Sequence, residues 1–274
     1  MNTLPWLLER GNGPLLATAI HAGHEVRDEL FSLFAISEAE RLREEDPGTG
    51  DWTEIAPNRL VGLRSRFEVD LNRRRDKAVY RTEADAWSLR VWEAPPNDDI
   101  IQKSLAVYDA FYEEVRSLLT RMVARHGRVV VLDLHSYNYR RDGAKASPAD
   151  ARHNPDINLG TGTMVRSRWA PLVDRFIVDL RSADFPGHPL DVRENVKFRG
   201  GFFPQWIHET FPETVCVLSV EVKKFYMDEW TGTLYPEMGT AVHRALKSTI
   251  WGIYEELTRW REERTIGPSA VETA

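Results

Sequence analysis

The sequence predicts an α/β domain, in which buried strands alternate with amphipathic helices. Two apolar runs, at residues 15–20 and 129–134, are typical of strands that are buried on both faces. Between them, apolar residues recur at helical spacing over residues 98–126, and Gly127 ends that helix. No internal repeat or long linker divides the 274 residues, so we expect a single domain.

The other elements follow from the same patterns, taken in chain order. An acidic segment at residues 37–45 favours a helix and ends at a loop rich in proline and glycine. Residues 65–71 alternate enough to form a strand. A further strand is expected at 214–220 and a short one beside the tight loop at 156–163; further helices are expected at 167–182, 205–210 and 236–263. The tail after about residue 267 is expected to be flexible.

The composition excludes several classes of protein. A net charge of -6 argues against a nucleic-acid partner that is held by general electrostatics. Cys216 is the only cysteine, which rules out an intrachain disulfide and a cysteine-based metal cage, and a reducing cytoplasm is expected. No apolar run approaches the ~20 residues that span a bilayer, and no segment has the pattern of a signal peptide, so we expect neither export nor a membrane partner.

Histidines follow two of the predicted strands. His21 and His24 come after the first strand, and His135 comes after the run at 129–134. Ligands in open α/β sheets collect at the carboxyl ends of strands, so we expect His21 and His135 to lie close together. Neutral imidazoles bind zinc, and a catalytic zinc site has three protein ligands and one open position. The third ligand is either His24 or Asp51, which lies on a glycine-flanked loop; the sequence leaves both open.

Glu221 interrupts an apolar strand, where a carboxylate is costly unless it is paired or used. It is the candidate general base, because burial raises the pKa of a carboxyl group. The alternative is an ion pair with Lys223 or a nearby arginine. A second polar group, formed by Arg66, Asn72 and Arg73, suits a small acidic substrate, because guanidinium groups hold carboxylates through two parallel hydrogen bonds.

Arg199 precedes two glycines, Gly200 and Gly201. Glycines permit the backbone to approach a ligand closely, and they also form plain turns. Taken alone, this motif favours the turn. Arg199 is nevertheless a candidate substrate contact, because other polar segments of the chain also suit an acidic substrate.

These segments together resemble the N-formylglutamate amidohydrolase family, whose relatives are the zinc carboxypeptidases and the aspartoacylase-type deacylases. The resemblance spans about residues 15–229, and its most specific parts are Asp-Leu-Asn-Arg at 70–73 and Asp-Leu-His-Ser at 133–136. The other matching parts are His21-Ala22-Gly23, Asp51-Trp52, 66–69, 158–161, 195–201 and 221–229. The resemblance implies a mixed, mostly parallel central sheet flanked by helices, as in other hydrolases related to the zinc carboxypeptidases.

The resemblance also implies one zinc ion and hydrolysis of the amide bond of a small anionic N-formyl or N-acyl amino acid, such as N-formylglutamate. It implies that His21 and His135 are metal ligands together with either Asp51 or His24, that Glu221 is the catalytic carboxylate, and that Asn72 and Arg73 contact the substrate carboxylate. We further expect Arg66 or Arg199 to stabilise the developing oxyanion. Two alternatives stay open. One is a carboxypeptidase-like hydrolase of short peptides, and the other is a metal-binding protein that keeps the fold without catalysis.

Overall fold

The central sheet is the element that positions the candidate site. The computed structural model describes residues 4–265, and the predicted flexible tail after about residue 267 lies outside them. Within the described residues the strands are β1 Trp6–Glu9, β2 Leu15–Ala19, β3 Asn58–Gly62, β4 Val129–Tyr137, β5 Ile157–Gly160, β6 Val192–Glu194 and β7 Val215–Lys223. They form one sheet in the order β1-β3-β2-β4-β7-β5-β6.

The four central strands of this sheet are parallel. β2 pairs in parallel with both β3 and β4, and β4 pairs in parallel with β7. Among the strands of residues 4–265, the antiparallel pairs lie toward the two edges, where β1 joins β3 and β5 joins β7, while β6 runs parallel to β5. The structure therefore confirms an α/β domain with a mixed, mostly parallel sheet.

Helices cover both faces of the sheet. They are α1 Glu38–Glu44, α2 Thr49–Trp52, α3 Asp98–His126, α4 Ala170–Arg181, α5 Phe202–Thr210, α6 Pro236–Ser248 and α7 Ile250–Thr265. Alternate residues of β4 pack on opposite sides: Val129 and Val131 lie in the core with α3 and α5, whereas Val130 and Leu132 lie in the core with α4, α6 and α7. Burial on both faces explains the unbroken apolar run. None of the helices between residues 4 and 265 combines the length and the apolar character that a membrane crossing requires.

Most of the predicted elements are present. The helix over 98–126 is confirmed, and α1 begins after Ser37, whose hydroxyl accepts a hydrogen bond from the backbone N–H of Glu40. The strand predicted at 65–71 is wrong: this segment forms turns in which the backbone N–H of Glu68 donates to the carbonyl of Ser65. The C-terminal helix predicted as continuous is divided between α6 and α7 at Thr249, whose hydroxyl donates to the carbonyl of Leu246.

The turn after β2 passes directly over the chain that leaves β3. The backbone N–H of Glu25 donates to the carbonyl of Leu63 at 3.0 Å. A Cβ atom on Gly23 would lie 2.2 Å from the carbonyl carbon of Leu63, far inside van der Waals contact. Glycine at this position therefore permits the crossing that follows His21.

Candidate active site and metal centre

The carboxyl ends of β2 and β4 bring His21 and His135 together. His21 lies in the turn after β2, and His135 lies near the end of β4. Both side chains are buried, and their ring centroids are 5.0 Å apart. They line a cavity of about 230 Å³, smaller than the roughly 300–1,000 Å³ that is typical for drug-sized ligands. The cavity suits a small molecule.

Asp46 completes a buried group of three side chains that could hold a metal ion. His21, Asp46 and His135 each offer one ligand atom, and these atoms lie within 4.8 Å of one another. Nδ1 of His135 is 3.0 Å from Oδ2 of Asp46, and Nδ1 of His21 is 3.7 Å from the same oxygen. Two imidazoles and one carboxylate are a ligand set that catalytic zinc sites use.

Each imidazole is held from behind by a second carboxylate. Nε2 of His21 lies 2.7 Å from Oδ1 of Asp70, and Nε2 of His135 lies 3.0 Å from Oδ2 of Asp133. Histidines that ligate metals commonly donate their other ring N–H to a carboxylate, which fixes the tautomer and the ring orientation. Both Nδ1 atoms then face Asp46, so the arrangement fits a metal ion.

The electrostatics of the group also favour a cation. Burial by itself would raise the pKa of Asp46, but hydrogen bonds from His135 and His21 lower it well below its usual value. Burial would lower the pKa of His135, yet Asp133 and Asp46 raise it well above its usual value. Asp46, Asp70 and Asp133 thus concentrate negative charge around the two imidazoles, and a bound cation would compensate it.

Glu221 lies beside His135, because these two residues are paired between the parallel strands β4 and β7. It lines the same cavity, and burial raises its pKa to about 7. Lys223, the alternative partner in an ion pair, is 2.7 Å from Oδ1 of Asp156 instead. Among the residues that the structure describes, no ion pair involves Glu221. Its protonation state is therefore free to change in the range where enzymes use general bases.

The other two predicted metal ligands lie elsewhere. His24 contacts Glu45 through Nδ1 at 2.5 Å, and the exposed Asp51 lines a different cavity together with His24. The physical reason is the path of the chain: the crossing at Gly23 carries His24 toward α1, and Asp51 lies on α2. Neither side chain therefore lies with His21 and His135. Asp46 does, because its backbone N–H donates to the carbonyl of His21 at 2.9 Å.

Asn72 and Arg73, the two predicted contacts of the substrate carboxylate, have partners within the protein. Oδ1 of Asn72 accepts a hydrogen bond from the backbone N–H of Phe203 at 2.9 Å, and a Cβ atom on Gly201 would lie 2.2 Å from the same oxygen. Asn72 lines the cavity, but it is also held tightly against the glycine loop. Nε of Arg73 is 3.4 Å from Asp70, and Arg73 is not one of the residues that line the cavity.

Arg66 lines the cavity, but its three guanidinium nitrogens all have protein partners. Nη2 donates to Asp70 at 2.8 Å, Nε to the hydroxyl of Tyr80 at 3.2 Å, and Nη1 to the carbonyl of Glu44 at 3.3 Å. Asp70 is the same carboxylate that holds His21. Arg66 therefore stabilises the orientation of His21 through Asp70.

Arg199 is exposed and lines the cavity. Within residues 4–265 its side chain has no hydrogen bond or ion pair, which leaves the guanidinium available to a ligand. Arg141, a cavity residue that the sequence analysis did not single out, is instead 2.8 Å from Oε2 of Glu44.

Asp46 and Lys224 are the two cavity residues that most clearly escaped sequence reasoning. The buried Lys224 donates from Nζ to the carbonyls of Arg43 at 2.5 Å and Glu45 at 2.6 Å, so it fixes the backbone immediately before Asp46. The only sequence signal for Asp46 is an aspartate at the end of the acidic helix, directly before Pro47. That signal equally describes an ordinary helix end.

Two solved structures are similar to the whole fold. An N-formylglutamate amidohydrolase from Ralstonia eutropha JMP134 has 21% sequence identity and a TM-score of 0.74, over 94% of this chain and 100% of that one. A gene product from Agrobacterium tumefaciens has 15% identity and a TM-score of 0.62, over 94% of this chain and 96% of that one. At these identities the likeness shows a shared fold. No curated protein matches the chain.

The sequence profile of one family matches most of the chain. It is the profile of N-formylglutamate amidohydrolase, and the match covers residues 13–227. That range contains His21, Asp46, His135 and Glu221, and it confirms the resemblance found in the sequence. The chain therefore belongs to the N-formylglutamate amidohydrolase family.

Proposed function

We propose that this chain is a zinc-dependent amidohydrolase that hydrolyses the amide bond of a small N-formyl or N-acyl amino acid, such as N-formylglutamate. The family consists of amidohydrolases, which act on C–N bonds, and this supports the reaction class. One observation carries the metal dependence: both buried imidazoles turn Nδ1 toward Asp46 while a second carboxylate occupies Nε2.

His21, Asp46 and His135 would hold the ion, and three protein ligands leave a position open for catalysis. When bound, zinc supplies Lewis acidity that polarises the amide carbonyl and makes water more acidic. Asp70 and Asp133 keep the two imidazoles in one orientation, and Arg66 holds Asp70 in turn. We therefore assign Arg66 a positioning role.

Glu221 is the proposed general base and acid. With a pKa of about 7, its carboxyl group is present in both protonation states near neutral pH. It can accept a proton from the attacking water and then donate that proton to the leaving nitrogen. The pairing with His135 keeps Glu221 next to the proposed metal ligands.

Arg199 is the proposed contact of the substrate carboxylate, because its guanidinium group lines the cavity without a partner among the described residues. Asn72 supports it indirectly, since Asn72 packs against Gly201 and holds the loop that carries Arg199. Arg73 contacts Asp70, the carboxylate that also holds His21. We further propose that residues 1–274 form one catalytic domain, and that the buried free thiol of Cys216 suits a reducing cytoplasm.

The test is a joint measurement of metal content and turnover. The purified chain is loaded with zinc, analysed for bound metal, and assayed with N-formyl amino acids, N-acetyl amino acids and dipeptides. We expect close to one zinc per chain and hydrolysis of at least one N-acyl amino acid. Exclusive cleavage of dipeptides would favour the carboxypeptidase-like alternative. Full zinc occupancy without turnover of any of these compounds would favour a metal-binding protein without catalysis.

A further inference from the structure

Two large aromatic side chains line the cavity of the candidate site and remain accessible. Trp87 is 44% exposed and Phe198 is 38% exposed, although both contribute to the same cavity as His21 and His135. A single exposed aromatic residue needs no explanation, but apolar groups rimmed by polar ones are typical of a ligand groove. The cavity thus offers apolar contact area next to its charged groups.

The backbone at Trp87 is strained. Trp87 has a φ of 53° and Ser88 has a φ of 71°, so two consecutive residues other than glycine adopt the left-handed conformation. This conformation is unfavourable for residues that carry a Cβ atom, and such positions cluster at ligand-binding sites. The strained position is the one whose indole lines the cavity.

Neighbouring groups fix the position of the indole. The guanidinium groups of Arg66 and Arg73 lie 4.8 Å and 5.4 Å from the centroid of the Trp87 ring. The ring of Tyr80 packs against it edge to face, with 5.8 Å between the centroids. These cation–π and aromatic contacts order the indole before a ligand arrives, which lowers the entropic cost of binding.

The charged side chains of the cavity can bind one carboxylate of a ligand. Four cationic side chains line it, and three of them are engaged: Arg66 by Asp70, Arg141 by Glu44, and Lys224 by backbone carbonyls. In the part of the chain that the structure describes, this leaves Arg199 as the cavity cation without a partner. A second carboxylate, such as the side chain of glutamate, would lack an uncommitted cation and would enter a cavity that already contains Glu44 and Glu221.

We infer that Trp87 and Phe198 form the subsite for the substrate side chain, and that this chain prefers N-acyl amino acids with an aromatic or large apolar side chain over N-formylglutamate. Arg199 binds the single α-carboxylate, while the amide bond lies toward His21, Asp46 and His135. This inference rests on the proposed function, because it concerns the substrate of the same site. Trp87 and Phe198 are specificity-determining residues and take no part in proton transfer.

The experiment compares three substrates with the zinc-loaded enzyme: N-formyl-L-phenylalanine, N-formyl-L-glutamate and N-formylglycine. We expect the highest kcat/KM for the phenylalanine compound. In Trp87→Ala this value should fall about tenfold, because one aromatic contact is lost, whereas kcat/KM for N-formylglycine, which has no side chain to bind, should fall less. Trp87→Phe should restore most of the loss. Trp251→Ala is the matched control, since Trp251 is 71% exposed on α7 and does not line the cavity.

A higher kcat/KM for N-formyl-L-glutamate would overturn the inference while leaving the proposed function intact. An equal loss for all three substrates in Trp87→Ala would also overturn it, because Trp87 would then act on the reaction in general. Calorimetric binding of N-acetyl-L-phenylalanine and N-acetyl-L-glutamate separates the two claims. One result is that the phenylalanine compound binds more tightly, loses affinity in Trp87→Ala and yet is not turned over. That result would support the subsite and refute the proposed hydrolase activity. Absence of both binding and turnover would refute both.

Discussion

His135 and Glu221 are paired residues of the parallel strands β4 and β7. Neighbouring strands lie about 4.8 Å apart, and paired residues direct their side chains to the same face of the sheet. A candidate metal ligand and a candidate base are therefore held together by the backbone of the two central strands. This relationship does not depend on any loop.

The first prediction concerns Glu221. Because the raised pKa of about 7 keeps this group protonated at lower pH, kcat/KM should increase with pH through about 7 as the base loses its proton. Glu221→Gln should lower kcat by at least about 100-fold at pH 8 and should bind the same amount of zinc. A pH profile of the wild type and a metal analysis of the variant check both statements. Unchanged turnover would remove Glu221 from the mechanism.

The second prediction separates Asp46 from Asp51. Asp46→Ala should lose bound zinc, because one of three ligands is removed, whereas Asp51→Ala should retain it, because Asp51 lies in another cavity. Zinc affinity is measured by competition with a chelator, and circular dichroism verifies that both variants are folded. The reverse order of affinities would restore Asp51 as the ligand.

The third prediction concerns the carboxylate behind His135. Asp133 accepts hydrogen bonds from His135 and from the hydroxyl of Thr18, at 3.0 Å and 2.9 Å. Asp133→Asn should weaken zinc binding by about 10- to 100-fold, because the imidazole loses its oriented and more basic state. Thr18→Val serves as the comparison, since it changes the same cluster without altering the partner of His135. Equal affinities in wild type and Asp133→Asn would contradict the supporting role.

The fourth prediction concerns stability and pH at His208, which is buried on α5. Its Nε2 atom accepts a hydrogen bond from the backbone N–H of Val217 at 3.0 Å, and burial lowers its pKa to about 4. The folded state thus resists protonation, while the unfolded state binds a proton near pH 6.5. Stability is fully present above about pH 6.5 and is lost as the pH falls toward 4, by about 3 kcal/mol.

His208→Gln removes the titrating group and keeps an acceptor for Val217. Urea unfolding of the wild type and of this variant at several pH values between 4 and 7 measures the difference. We expect a smaller pH dependence of the unfolding free energy in the variant. Parallel curves for the two proteins would show that His208 does not contribute to the acid sensitivity.

The sequence was most informative where a candidate functional residue lies in or directly after an apolar run that predicts a strand. His21, His135 and Glu221 each follow or interrupt an apolar run, and the burial of that run fixes both the strand and the end at which the side chain emerges. The positions of these three residues could therefore be predicted from the sequence pattern. The parallel strands β2, β4 and β7 could be predicted for the same reason, whereas the fourth central strand, β3, was not among the predicted strands.

The placement of Asp46 and Lys224 could not be predicted from the sequence, because it depends on the path of a loop. Lys224 reaches the carbonyls of Arg43 and Glu45 only in the folded chain, and no local pattern encodes contacts between residues 181 and 179 positions apart in the sequence. The prediction of a strand at residues 65–71 was wrong for a related reason. Polar and apolar residues alternate in this segment as they do in a strand, but the polar Glu68 and Asp70 are also buried, where they form ion pairs with arginines.

The crossing at Gly23 has a consequence for recognising distant relatives. A methyl group at this position would collide with the main chain at Leu63, and flexible side-chain atoms could not relieve the collision because the obstacle is backbone. The glycine of the His-Ala-Gly segment is thus a steric requirement, separate from the chemistry of the neighbouring imidazole. A homologue that lacks the two histidines would still need this glycine, so its retention marks shared architecture and says nothing about retained activity.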